Sequence, residues 1–403
     1  MKKLCIYSVV AVSAAAVAVL MLAVPLSAQT SFSFGGYVKL DVLNSKYHNG
    51  APGPTSPLRD IHFPAAIPVG GENRVPFANL DFHAKESRFN LEVKTRFAND
   101  QVLRAFVEVD FLLSAQGDER ISNSFSPRVR HFFFTYRNFL LGQTWSTFVI
   151  LEPIVEDLDF GGTADGFIFG RQPQIRFTTG PWQFALENPE TTLEPFQGGV
   201  RRIDEAAVIP DVIARHNFAG KWGTFAVAGM LRQLKNEYRS ADTVEANYTL
   251  AFGFTAGGRI NVGKRDDLRI QTSAGSGLGR YAAFGFANGA VIDSVREPQA
   301  IRSVLGFVGY RHFWTDRLRS NLNVSGIYVD NDAALTGDAA NRAAYSFSIN
   351  LIYSPLPALD FGVELMRGVR EIESGANGKF DRLQFSGRYA FGFSTCTAKE
   401  GCP

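Results

Sequence analysis

Alternation of apolar and polar residues with a period of two, sustained beyond the length of an ordinary strand, constrains this chain more than any other feature. From Glu86 to Phe97 the even positions are Glu86, Arg88, Asn90, Glu92, Lys94 and Arg96, while the odd ones are Ser87, Phe89, Leu91, Val93, Thr95 and Phe97. Val102 to Phe111 repeats the pattern, with Leu103, Ala105, Val107, Val109 and Phe111 opposite Arg104, Phe106, Glu108 and Asp110. Lys379 to Phe393 sets Leu383, Phe385, Tyr389, Phe391 and Phe393 against Arg382, Gln384, Ser386 and Arg388. Such a strand has one face in apolar surroundings and the other in water. Soluble sandwiches alternate too, but with strands of roughly five to six residues. Several runs here reach the roughly nine to eleven that cross a bilayer.

The connections alternate as well. Short ones contain Asn99-Asp100, Asn138, Gly180-Pro181, Ala219-Gly220-Lys221, Lys264-Arg265-Asp266, Thr315-Asp316 and Ser354 to Pro357. Long ones fall near 44–83, 113–126, 147–170, 189–206, 236–242, 279–298, 331–340 and 372–378. Short turns on one side and long loops on the other are the habit of outer-membrane barrels. Seven short and eight long connections join sixteen strands, centred on Tyr37, Leu91, Val107, Phe132, Leu141, Ile175, Phe184, Ile213, Val227, Phe252, Ile270, Val308, Val324, Phe347, Val363 and Phe385. The runs at Ile213, preceded by Pro210, and at Ile270, polar and Gly-rich, fit least well. The expected fold is all-β: a transmembrane antiparallel β-barrel of about 16 strands over 29–393, followed by a short tail, 394–403. Barrels of roughly that size enclose an aqueous channel.

The first 28 residues have a separate reading. Lys2 and Lys3, an apolar run from Leu4 to Val24, and Pro25-Leu26-Ser27-Ala28 form a secretory signal peptide, 1–28, cut after Ala28. An uncleaved anchor is the competing reading. After Ala28 no apolar run is long enough for a membrane helix, so any spanning must use strands. Without Lys2 and Lys3 the chain carries 39 basic and 39 acidic residues, a balance that argues against nucleic-acid binding. The first long loop, with Pro52, Pro54, Pro57, Pro64 and Pro68, reads as irregular backbone and no second domain.

The chemistry concentrates between Leu140 and Thr179. A loop from Thr147 to Gly170 carries Glu152, Glu156, Asp157, Asp159 and Asp165 among Gly161, Gly162, Gly166 and Gly170. Loops of this length are usually functional, and this one is expected to fold inward and narrow the lumen. The polar strand faces hold Arg88, Lys94, Arg96, Arg104, Arg176, Arg215, Arg317, Arg319, Arg342, Arg382 and Arg388 as pore-lining candidates. Guanidinium forks suit carboxylates, so a cationic ladder opposite an acidic constriction is one reading. The other is that these groups pair with Glu86, Glu92, Glu108, Asp110 and Glu364 and satisfy the wall. Phe133, Phe139 and Trp145 are expected on the outer face, against lipid or a neighbouring subunit. Cys396 and Cys402 can form a disulfide in an oxidising compartment.

Two further classes stay open: a barrel enzyme such as a lipase or protease, and a secreted β-rich adhesin. No GxSxG is present, and the six His are dispersed without metal-site spacing, so neither metal nor cofactor is expected.

Gly35-Gly36-Tyr37-Val38-Lys39-Leu40-Asp41, Leu141-Gly142-Gln143-Thr144-Trp145-Ser146, Asp159-Phe160-Gly161-Gly162, Arg171-Gln172-Pro173-Gln174-Ile175-Arg176 and Ala185-Leu186-Glu187-Asn188-Pro189-Glu190 occur in that order. Together they resemble the DcaP-like family of outer-membrane porins, most densely from Arg128 to Glu190. The resemblance implies a sixteen-stranded homotrimeric porin, embedded in outer-membrane lipid, for passive diffusion of small anionic or polar solutes such as dicarboxylates. Many members carry a helical coiled-coil segment before the barrel, whereas Ser31-Phe32-Ser33-Phe34 here follows the signal almost directly. A second departure is the tail beyond Phe393, where such barrels generally end on an aromatic residue.

Overall fold

The computed structural model describes residues 29–70, 74–114, 122–204, 208–239 and 243–397. The expected signal peptide and Cys402 lie outside them. In chain order the strands are β1 (Gln29–Tyr47), β2 (Phe77–His83), β3 (Arg88–Arg96), β4 (Val102–Asp110), β5 (Arg128–Tyr136), β6 (Phe139–Trp145), β7 (Arg171–Thr179) and β8 (Trp182–Glu187). Next come β9 (Thr191–Glu194), β10 (Arg202–Asp204), β11 (Asp211–Gly220), β12 (Gly223–Arg239), β13 (Val244–Val262) and β14 (Asp266–Ser276). The last are β15 (Ala290–Ile292), β16 (Pro298–Ala300), β17 (Arg302–Phe313), β18 (Leu318–Asp330), β19 (Asn341–Leu356), β20 (Leu359–Ile372) and β21 (Asn377–Cys396).

Neighbouring strands pair antiparallel, and the sheet closes where β1 pairs with β21 along its length, from Ser31 opposite Cys396 to Tyr47 opposite Phe380. Closure leaves no sheet edge exposed to lipid. On its other side β1 pairs first with β3 and then with β2, so these two occupy a single position in the wall and the barrel has sixteen positions. Each of the sixteen expected strand centres lies in one of these strands, including those at Ile213 and Ile270.

Four stretches expected to lie outside the strands, three loops and the tail, contain strand. β2 falls inside the span 44–83; its outward residues are the even-numbered Leu80 and Phe82, whereas β3 turns the odd-numbered Leu91 outward. The four residues Ala84 to Ser87 between them shift the register by one and hide the continuity. β9, β10, β15 and β16 form a small separate sheet in the loops at one end of the barrel. At the C-terminus β21 continues past Phe393 to Cys396, which is disulfide-bonded.

Period-two alternation sets the faces. On β20 and β21 Val363 and Phe385 are 47% and 42% exposed on the outside, while Gln384 and Ser386, pointing inward, are 2% and 3% exposed. Phe139 is outward as expected, but Phe133 and Trp145 are not. Phe133 lies inside beneath the Arg104 guanidinium, and Trp145 packs against Phe169 and His131 in the lumen. One strand of the hairpin has its aromatic run Phe132-Phe133-Phe134 split between two faces, which composition alone does not reveal.

The core sits inside the barrel. Phe148, Ile168, Leu278, Tyr281 and Phe286 come from lumen-filling loops and pack on inward wall residues such as Met230, Leu305, Phe307 and Ile327. Full burial of a side chain like Phe148 is worth roughly 1.5–3 kcal/mol, so the 146–170 loop is held inward by apolar packing as well as by charge. Gly166 permits its closest approach: a Cβ there would collide with the Gly306 carbonyl on β17. The Pro-rich first loop also folds inward, burying Leu58, Ile61, His62 and Ile67, with two short 3-10 turns at Pro57–Arg59 and Pro64–Ala66.

Candidate functional site

The inward loop is fastened along its length, and its carboxylates make the fastenings. Glu152 accepts from Arg215 Nη2 at 2.6 Å, while Arg215 Nη1 donates to the Val149 carbonyl at 2.7 Å. Glu156 is held by Arg319, with Nε to Oε2 at 2.8 Å, and by Arg311 at 3.5 Å. Asp157 accepts from Asn323 Nδ2 and from Ser348 Oγ. Asp159 pairs with Arg382 at 2.6 Å and accepts from the His62 backbone N–H at 2.8 Å. Asp165 accepts from Ser325 Oγ at 3.0 Å and lies 3.4 Å from His62 Nε2. From the wall, Glu364 on β20 accepts from the backbone N–H groups of Leu158 and Asp159 at 2.8 and 3.1 Å.

All five acids therefore point at the β11 and β17–β21 side or at the first loop, and of the two readings these contacts match charges that satisfy the wall and not an acidic rim facing a cationic ladder. The physical reason is that a loop crossing a lumen must satisfy its buried backbone and charges on the wall behind it. Burial, with Glu364 close by, pushes the Asp157 carboxyl well above its usual range despite its two hydrogen bonds. At Asp159 burial acts in the same sense, but Arg382 and His62 outweigh it and hold the group below that range. Burial would lower the His62 imidazole; Asp165 and Asp159 overcome this and raise it.

The expected pore-lining residues divide by place. Arg215, Arg319 and Arg382 anchor the loop, as above, and Arg382 is sealed from solvent. Arg176 donates to the Thr147 hydroxyl at 2.8 Å and to the Trp145 carbonyl, fixing the start of the loop. Arg388 pairs with Asp360 on β20. Two depart from the expected placement. Arg317 is exposed on the turn between β17 and β18, because β17 ends at Phe313 and the alternation stops there. Arg342 is exposed at the register shift between Asn341 and Ala343, where its inward parity has no wall to follow. Arg96 is exposed at the short-turn end of β3.

Arg88, Lys94 and Arg104 belong to a separate cationic face formed by β3 to β7. Arg104 and Lys94 share Glu92. Arg128 grips Asp110 through both Nε and Nη2, at 2.8 and 2.7 Å, and Arg130 bridges Glu108 and Asp110 at 2.7 and 2.8 Å. Arg88 stands 3.6 Å from Glu108, beyond hydrogen-bond range. Arg171 makes no ion pair among the described residues: its guanidinium carbon sits 3.8 Å from the Trp145 ring centre and 5.0 Å from that of Phe169, and Nε and Nη2 lack hydrogen-bond partners. With Lys39, Asp41 and Glu86 beside it, this face sets seven cations against five carboxylates. Opposite stand aromatic rings: Phe160 of the loop is 5.7 and 5.6 Å from the Arg128 and Arg130 guanidinium groups. Phe160 meets Phe169, which meets Phe284 of the 277–301 segment.

Arg128, Arg130 and Arg171 were outside the expected set. Their signal is present in the register: Arg128 lies directly opposite Asp110 across the β4–β5 hairpin, and Arg171 opposite Trp145 across β6–β7. Among the described residues, two hydroxyl groups lie near imidazoles. Ser325 and His62 both address Asp165 and are buried. Thr144 bonds His131 Nδ1 at 2.8 Å, but Nε2 is 3.7 Å from Glu108, too far for an orienting hydrogen bond.

Comparison with known proteins places this geometry. A search of curated proteins found no match. Among solved structures, the outer membrane channel DcaP of Acinetobacter baumannii superposes with a TM-score of 0.73 at 22% identity, covering 90% of this chain and 97% of that one. An anion-selective porin from Comamonas acidovorans gives 0.51 at 11% identity, covering 90% and 100%, and Salmonella typhi OmpF in complex with daunomycin gives 0.50 at 10%, covering 89% and 97%. These likenesses concern the fold. The family model described as DcaP outer membrane protein matches residues 25–391, and the chain belongs to that family of outer-membrane β-barrel channels.

Proposed function

We propose that this chain is a channel for passive, anion-preferring diffusion of small polar solutes, dicarboxylates among them, and that it works without enzymatic chemistry as a homotrimer. The observation that carries the reading is the imbalance of the β3–β7 face: Arg171 and Arg88 make no direct charged hydrogen bond there, while the loop acids are engaged elsewhere. A guanidinium in a confined lumen is screened less than one on an open surface. It presents a fork to each carboxylate that passes, and the aromatic rings opposite contribute no competing charge. Selectivity from rings of basic side chains is the usual device of anion pores. The family resemblance supports the trimer.

Proteoliposome swelling tests the function. Succinate should enter several-fold faster than a diamine of equal length, and equal rates for the two would sink anion preference. Light scattering of the purified protein in detergent tests the trimer.

A further inference from the structure

At the long-loop end, away from the cationic face, a cavity of about 140 Å³ is enclosed by the β9–β10 segment, the 277–301 segment, the β18–β19 loop and the end of β20. Glu194, Arg201, Asn288, Asn331, Asn341 and Arg370 line it. Arg370 donates from Nε to Asn341 Oδ1 at 2.7 Å and from Nη1 to the Ile67 carbonyl at 2.9 Å, and makes no ion pair among the described residues. Arg201 donates to the Gly285 carbonyl at 2.6 Å and is likewise without an ion pair there. Asn288 is 5% exposed; its amide N–H donates to Glu194, and its Oδ1 has no hydrogen-bond partner.

A buried acceptor without a donor costs about 1–3 kcal/mol, and two guanidinium groups beside one carboxylate leave the cavity with a net positive charge. A ligand that satisfies both features carries a carboxylate for Arg370 and Arg201 and an O–H or N–H for Asn288 Oδ1. We propose that this cavity is a capture site for small carboxylates bearing a hydrogen-bond donor, such as hydroxy acids, which bind there before reaching the constriction. The cavity needs the channel reading only for what becomes of the solute afterwards. Binding itself is independent of it.

Calorimetric titration of the purified barrel in detergent with lactate and with propionate isolates the donor, since the two differ by one hydroxyl. Lactate should bind roughly tenfold more tightly, the worth of one buried hydrogen bond. Arg370→Gln should abolish binding of both acids, Asn288→Ala should bring lactate down to the propionate level, and Arg265→Gln, an exposed residue of the short turn before β14, should change neither. Variants are compared only where the folded barrel's resistance to heat is retained; should Arg370→Gln not assemble, Asn288→Ala decides alone. Equal affinity for the two acids, no binding of either, or loss of binding in Arg265→Gln with retention in the cavity variants overturns the proposal. Failure of anion selectivity with lactate binding intact would contradict the channel reading and leave the cavity standing.

Discussion

Arg382 on β21 points into the lumen and holds Asp159 of the inward loop, Nη1 to Oδ2 at 2.6 Å, with neither side chain more than 1% exposed. The same guanidinium donates to Ser45 Oγ at 3.0 Å and to the Leu58 carbonyl. One side chain thus ties together the barrel seam, the first loop and the 146–170 loop.

Removing one member of such a pair strands the other as a buried charge, at a cost of about 3–5 kcal/mol. Asp159→Ala should therefore lower the barrel's thermal midpoint and make single-channel current noisy, because the loop loses its tether. Asp159→Asn, which keeps the acceptor for the His62 N–H, should be milder. A variant as quiet and as heat-stable as the parent would show that apolar packing alone holds the loop.

Much of this was legible in advance, and the boundary has a physical cause. Period two and turn chemistry are local, so the sixteen strand centres and the loop after Trp145 could be read directly. Which wall Asp159 or Glu156 meets depends on pairings more than a hundred residues away, such as Arg319 to Glu156. β2 is hidden in the sequence because a single-residue register shift reverses the faces, and Arg342 departs because the ladder is interrupted beside it. Arg171 stands within a recognisable motif, but that it makes no ion pair among the described residues emerges only from three dimensions.

Protonation gives a second test. Asp157 is held above its usual range and His62 above its own, so both stabilise the closed loop most at low pH. For each, the contribution is full below the unfolded-state value and is lost as pH rises through the raised folded-state value. Asp159, held below its range, acts oppositely and weakens the attachment only in strong acid. Channel noise should accordingly grow as pH rises above the ordinary carboxylate range, and Asp157→Asn should reduce that growth. Noise in the parent that nowhere rises with pH above the ordinary carboxylate range would contradict this.

Glu156 restrains both Arg319 and Arg311. Glu156→Gln should release positive charge into the lumen and raise anion preference, with a modest rise in conductance. Bi-ionic potentials decide it; a shift toward cations would mean that Glu156 shields the path less than it shapes it.

Phe385 is exposed on the outer wall between Gln384 and Ser386, which face inward. Phe385→Arg should impair assembly, since an Arg facing lipid near the midplane costs roughly 2–4 kcal/mol. Phe385→Leu should assemble normally. Equal yields of heat-resistant barrel from both would reverse the assignment of faces.

Arg88 and Arg171, which make no direct hydrogen bond to a carboxylate on the β3–β7 face, give the channel its anion preference in this proposal. Reversal potential in a salt gradient across a planar bilayer, recorded for the parent and for Arg88→Gln with Arg171→Gln, addresses it most directly. The parent should favour anions, and the double variant should move several-fold toward equal permeability while conductance stays near that of the parent. An unchanged reversal potential in a double variant of normal conductance would leave a general diffusion pore with no role for these two residues in selectivity.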